Sequence, residues 1–233
     1  AGGKGTITVA SACTMAGIVA GCITSTGLAS KLLRAIVSAS GGVMIIALLL
    51  TMVCCIVLGM GVPTTATYCI MAATCAPILM SPEIGVEMLA AHFFVFYFGI
   101  VADITPPVAL AAYAGAAIAK AGPMKTAFNA SRLAIAAFIV PYIIAMNPAM
   151  LFINTTAPEV VMITITSIIG IFGVAAGLSG FVFRNMKWWE RILCIVGGLT
   201  LLVPGSLTDL IGLVLVGAVC VLGYQAAKKE KEA

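Results

Sequence analysis

Asp103 is the only charged side chain between Met88 and Ala119, and Ile104, Thr105, Pro106 and Pro107 follow it directly. A carboxylate at membrane depth costs about 2.5 to 3.5 kcal/mol on insertion scales, so it is kept where it faces protein, an ion or trapped water. The two prolines donate no amide hydrogen and stop the helix before them. Asp103 can therefore supply a charged oxygen or take a proton, with Thr105 and the carbonyls freed by Pro106 and Pro107 completing a shell. A second interruption, Gly59-Met60-Gly61-Val62-Pro63-Thr64-Thr65, lies earlier in another apolar run. There Gly59 and Gly61 permit close backbone approach, Pro63 ends the incoming helix, and Thr64, Thr65 and further on Thr67 carry hydroxyl oxygens.

A broken helix bares carbonyls at one half-helix end and amide hydrogens at the other, so it offers oxygen ligands to a cation and partial positive charge to an anion. Hard oxygen donors of this kind suit Na⁺, with Gly61, Thr64, Asp103 and Thr105 as candidate ligands. Two such breaks in apolar segments point to a secondary transporter. The alternative reading is that glycine and proline are merely common in membrane helices and that Asp103 pairs within the protein. The chain would then be a non-catalytic structural membrane subunit. His92, near the start of the Asp103 segment, reads either as a hydrogen-bonded core residue or as part of a proton relay.

The elements that must position these residues follow from composition. Apolar residues make up 62% of the chain, 9% is charged and the mean hydropathy is +1.20. A soluble domain carries about a quarter charged residues, so these values imply an all-α polytopic membrane protein. At roughly twenty residues per crossing, the chain has room for about seven or eight spans with short links. The net charge of +4 forms no nucleic-acid-binding stripe. The eight cysteines lie in apolar runs without C-x-x-C or a histidine at metal spacing, and read as small hydrophobes. One histidine, no H-E-x-x-H and no G-x-S-x-G argue against an enzyme. A channel would need a ring of carbonyls or charges, of which a lone Asp103 gives no sign. No cofactor is expected beyond Na⁺ as coupling ion.

Along the chain, Ile7 to Leu28 reads as a first span in which Thr24, Ser25 and Thr26 either line a cavity or bond back to helix carbonyls. Lys31 to Ser40 reads as an amphipathic connector. Gly42 to Met80 would be about 58 Å long as one helix, nearly twice the hydrocarbon thickness. A re-entrant helical hairpin over about 42–80 is therefore expected, followed by a broken membrane helix over about 88–119. Leu133 to Phe152 reads as a span bent at Pro141. Val160 to Phe183 spans once more, and Ile192 to Val203 and Leu207 to Tyr224 form a last pair turning at Pro204-Gly205. Trp188 and Trp189 beside Arg191 read as interfacial anchors. Counting crossings back from the tail puts Lys120, Lys125, Arg132, Arg184, Lys187, Arg191 and Lys228-Lys229-Glu230-Lys231 on one face, the cytoplasmic one. The opposite loops, Ser81 to Glu87, Asn154 to Glu159 and Gly205 to Asp209, hold acidic residues and no Lys or Arg. Lys31 and Arg34 are exceptions, and treating Gly42 to Met80 as a single broken span would move them inside and Lys4 outside. Length favours the hairpin.

The string Gly59-Met60-Gly61-Val62-Pro63-Thr64-Thr65-Ala66, then Ala76-Pro77, His92-Phe93-Phe94-Val95-Phe96-Tyr97-Phe98 and Ile104-Thr105-Pro106-Pro107-Val108-Ala109-Leu110-Ala111-Ala112-Tyr113, resembles the tripartite ATP-independent periplasmic (TRAP) transporters. More narrowly it is similar to the fused-permease branch that works with TAXI-type binding proteins. The similarity covers roughly Gly3 to Leu151. It implies that the chain is a piece of a longer permease containing the second of two inverted repeats, half of an elevator-type transporter. Gly59 to Thr65 would be the tip of the second hairpin. Asp103 to Pro107 would be the break of the next helix, and the two would share a Na⁺ site and half of a substrate pocket. Candidate ion- or substrate-binding residues are thus Gly59, Gly61, Pro63, Thr64, Thr65, Asp103, Thr105, Pro106 and Pro107. The resemblance further implies Na⁺-driven import of small carboxylates, C4-dicarboxylate or amino-acid-like, across a bacterial or archaeal cytoplasmic (inner) membrane. The partners would be a periplasmic TAXI-type substrate-binding protein and the missing first repeat and small-subunit region. Residues 1–152 would form the transport and scaffold region, and 153–233 extra carboxy-terminal spans with a basic tail.

Overall fold

The computed structural model describes residues 2–153, 155–203 and 205–232. Asn154 and Pro204 lie outside these, as do the side chains of Lys4, Cys13, Thr24, Lys229, Glu230 and Lys231. The fold is all-α, and among the described residues the only strand-like pairing is an isolated bridge between Phe181 and Asn185. Two compact units divide between residues 145 and 146.

Among the described residues the α-helices of the first unit are α1 (Gly2–Ser25), α2 (Leu28–Ser40), α3 (Met44–Gly59), α4 (Thr64–Thr74), α5 (Ala76–Leu79), α6 (Met88–Val101), α7 (Leu110–Ile118), α8 (Pro123–Leu133) and α9 (Ile135–Met146). At the end of α1, Ser25 Oγ and Thr26 Oγ1 donate to the Cys22 carbonyl at 3.1 and 2.7 Å, so these hydroxyls serve the helix itself. The connector α2 keeps Lys31 and Arg34 exposed and buries Ile36. The long apolar run from Gly42 to Met80 is interrupted where the sequence expects. Its arms, α3 and Thr64–Leu79, are each about 24 Å long at 1.5 Å per residue. Neither reaches across a ~30 Å hydrocarbon core.

Helix α6 starts with Glu87, whose carboxylate accepts the Leu89 and Ala90 amides at 2.7 and 3.1 Å and so satisfies two first-turn donors. Its buried face, Ala91, Phe94, Val95 and Phe98, forms the centre of the unit with Leu48, Met71, Ile78 and Leu79. Tyr142 of α9 stacks edge-on against Phe94 and Phe98, with centroids 5.3 and 5.8 Å away, and its hydroxyl reaches Met52 Sδ on α3 at 3.1 Å.

The span after Arg132 bends by 42° at Ala134, where α8 and α9 meet, and Pro141, the bend expected from the sequence, lies inside α9. The junction coincides with the change from a polar helix carrying Lys125, Asn129, Ser131 and Arg132 to an apolar one. It tightens there, with the Ala137 amide bonding back to the Ala134 carbonyl at 2.8 Å, a three-residue step. Pro141 removes only one ladder bond and is buried inside α9. The helix also ends at Met146, short of Phe152, and a 3₁₀ turn over Pro148–Leu151 follows.

The second unit packs α10 (Ala157–Ser179), α11 (Trp188–Thr200) and α12 (Ser206–Glu232) through glycines. A Cβ on Gly198 would lie 2.6 Å from the Gly170 carbonyl, one on Gly212 2.6 Å from the Gly197 carbonyl, and one on Gly173 3.1 Å from that of Cys194. Backbones therefore touch, which is how helices associate when lipid is as apolar as their side chains. Glu190, 3% exposed, pairs with Arg184 at 2.5 Å and accepts the Lys187 amide at 2.8 Å. Arg191 faces inward and caps the end of α10 through the Gly177 and Leu178 carbonyls at 2.9 and 3.0 Å. Trp188 and Trp189 stay exposed. Among the described residues, α10 and Leu207–Ala226 of α12 are each long and apolar enough to cross a membrane, and bent α8–α9 makes a third such segment.

Candidate functional site

The two sequence interruptions meet. Helix α3 ends at Gly59, and a Cβ placed there would lie 3.0 Å from Ala102 Cβ, 3.2 Å from Met71 Cε and 3.3 Å from Thr67 Cγ2. Only glycine lets the end of α3 approach the residue before Asp103 this closely. A Cβ on Gly99 would likewise lie 3.1 Å from Thr67 Cγ2 and 3.4 Å from Met71 Sδ, so Thr67 sits wedged between the two interruptions. The carbonyl ends of α3 and α6 thus finish side by side, and helix ends of that polarity favour a cation.

The hairpin tip spans Met60 to Pro63. Gly61 takes the left-handed conformation, φ +76°, and has open space around it. Pro63 precedes the first turn of α4, where Thr64 and Thr65 are exposed. Buried Thr67 donates its hydroxyl to the Val62 carbonyl at 3.1 Å and its amide to the Pro63 carbonyl at 2.9 Å, closing the tip from within.

At the second interruption α6 tightens into a 3₁₀ turn over Ala102–Ile104, and irregular backbone leads to α7 through a left-handed Ala109, φ +33°. The Pro106–Pro107 peptide is cis. Asp103 is half-buried, and no hydrogen bond or ion pair to its carboxylate is found among the described residues. Thr105 is half-buried too. Its hydroxyl donates to the Val101 carbonyl at 2.7 Å and keeps its oxygen lone pairs as acceptors. The carbonyls of Ile104 and Pro107 are met from elsewhere: Ser131 Oγ of α8 donates to Ile104 at 3.0 Å, and the Tyr113 hydroxyl of α7 donates to Pro107. Beside the break a cavity of about 670 Å³ opens, lined among others by Thr105, Pro106, Pro107, Ser131, Phe128 and Phe138.

Of the sequence candidates, Gly59 and the Asp103 turn are brought together directly. Gly61, Thr64 and Thr65 lie on the exposed tip next to that contact, and Pro107 on the exposed rim of the second break. His92 is half-buried and hydrogen-bonded through Nδ1 to the Tyr68 hydroxyl at 3.0 Å, linking α6 to α4. Among the described residues no three of His, Cys, Asp and Glu group as metal ligands. Sequence reasoning missed Gly99, Ala102, Tyr113 and Ser131. Small residues and hydroxyls outside an interruption carry no spacing signal of their own.

Residues 1–160 match the family model described as tripartite ATP-independent periplasmic transporter, DctM component. Residues 160–215 match a domain of unknown function, DUF3394. No match was found among curated proteins or solved structures.

Proposed function

Because the chain belongs to the DctM component family of the tripartite ATP-independent periplasmic transporters, and is thus a secondary-transporter permease working with a periplasmic binding protein, we propose that it carries half of a Na⁺ and carboxylate site. The observation that carries this reading is the contact of Gly59 with Ala102, which sets two helix carbonyl ends beside a half-buried Asp103.

In this reading Na⁺ sits among backbone carbonyls at Gly61 and the α3 end, the Asp103 carboxylate and the hydroxyl oxygens of Thr64 and Thr105. The amide ends of α4 and α7 face the carboxylate of the substrate, since helix N-termini favour anions. Gly59, Pro63, Thr65, Pro106 and Pro107 shape the backbone around both ligands. Packing of the tip against the break through Thr67 and Met71 makes hairpin and helix one body, which suits an elevator motion. The transported substrates are small carboxylates, delivered by a TAXI-type receptor. The first repeat and the small-subunit region complete the site, in a bacterial or archaeal cytoplasmic membrane with Lys120, Lys125 and Arg132 on the cytoplasmic face. Residues beyond Val160 carry no transport chemistry.

The test is uptake by the full permease, reconstituted with its binding protein, under an imposed Na⁺ gradient. Asp103→Ala is expected to abolish Na⁺-stimulated uptake while the protein still inserts. Uptake with an unchanged Na⁺ dependence would contradict the site.

A further inference from the structure

The Asp103 turn is held by a residue outside both interruptions. Ser131 lies on α8, a polar helix separated from the break by all of α7, and its hydroxyl donates to the Ile104 carbonyl at 3.0 Å. Ile104 follows Asp103 and precedes Thr105, so the peptide plane fixed by this bond is the one joining the acidic residue's turn to the threonine. The same plane carries the Thr105 amide, which bonds to the Ala102 carbonyl at 3.3 Å. Both polar groups of one peptide are thereby pinned, the N–H from inside the turn and the C=O from α8. A carbonyl has two lone pairs, and Ser131 occupies one of them.

We propose that Ser131 is a positioning residue for ion binding: it orients the Ile104–Thr105 peptide so that Asp103, Thr105 and the neighbouring carbonyls stay aimed at the cation, and it does not itself touch the ion. The proposal rests on the Na⁺ site assigned above. Outer residues that orient ligands typically change metal affinity by 10- to 100-fold when removed. The bond also joins the break to a helix bearing Lys125 and Arg132, so a displacement of α8 alters the ion site through Ser131.

The experiment measures the Na⁺ dependence of uptake by the full permease with its binding protein, for wild type, Ser131→Ala, Ser131→Cys and Ser131→Thr. Ser131→Ala is expected to raise the half-saturating Na⁺ concentration roughly tenfold, with maximal uptake at saturating Na⁺ close to wild type. Ser131→Thr, which keeps the hydroxyl, restores the wild-type value. Ser131→Cys, isosteric with a weak donor, falls between them and serves if Ser131→Ala fails to insert. An unchanged half-saturation in the Ala and Cys variants, or a loss confined to the maximal rate, overturns the proposal and leaves the Na⁺ site standing. Wild-type uptake that is indifferent to Na⁺ overturns the site itself.

Discussion

The Sγ atoms of Cys54 on α3 and Cys75 just after α4 lie 3.8 Å apart. On a continuous helix, residues that far apart in sequence would be separated by about 31 Å. The chain therefore doubles back between them. The charge distribution of Lys4, Lys31 and Arg34 leans the other way, toward one broken span, and length proves the better guide. An unbent rod would have to leave much of its apolar surface outside the hydrocarbon.

This proximity predicts a cross-link. In the full permease with its other cysteines replaced, Cys54 and buried Cys75 should be joined directly as a disulfide by a small membrane-permeant oxidant, read by mass spectrometry of the linked peptides. Replacing either cysteine should remove the product. A permease in which the pair stays unlinked while both thiols are consumed by the oxidant would refute the fold-back.

Gly59 and Gly61 should respond to substitution in different ways. Gly59→Ala forces a methyl to 3.0 Å from Ala102 Cβ, overpacking that costs about 1–3 kcal/mol. Gly61→Ala meets no neighbour but must hold φ +76°, a strain of roughly 1–2 kcal/mol. Asn tolerates that backbone, so Gly61→Asn should recover most of the thermal stability of the purified permease and Gly59→Asn none. Equal recovery at both sites would contradict the packing described.

Much of the candidate site was legible because its signals are local. Gly59, Gly61, Pro63, Asp103, Pro106 and Pro107 stand out in apolar runs, and helix-breaking chemistry needs no tertiary knowledge. The bend at Ala134 was not legible, since Pro141, inside α9, carries the stronger local signal and nothing local marks Ala134. The bonds from Ser131 to Ile104 and from Tyr113 to Pro107 depend on how α7 and α8 return to the break. Arg191, read as a surface charge beside two tryptophans, turns inward because the carbonyls ending α10 lie within its reach.

Glu190 gives a prediction independent of transport. Its carboxylate is buried and serves both Arg184 and the Lys187 amide. Glu190→Ala strips a partly buried guanidinium of its counter-charge, for which about 3 kcal/mol is expected, the lower end for breaking a buried pair. The unfolding temperature of the purified permease should fall, with the Na⁺ dependence of uptake unchanged. A variant as stable as the wild type would show the pair to be a surface contact of no consequence.

Direct Na⁺ binding to the purified full permease tests the central claim most closely, because it needs neither substrate nor binding protein. Titration with radioactive Na⁺ should give saturable binding in the wild type. Asp103→Asn, which keeps the size and loses the charge, should lose the saturable component that the meeting of Gly59 and Ala102 creates. If Asp103→Asn binds Na⁺ with the affinity and capacity of the wild type, the two interruptions do not form the ion site.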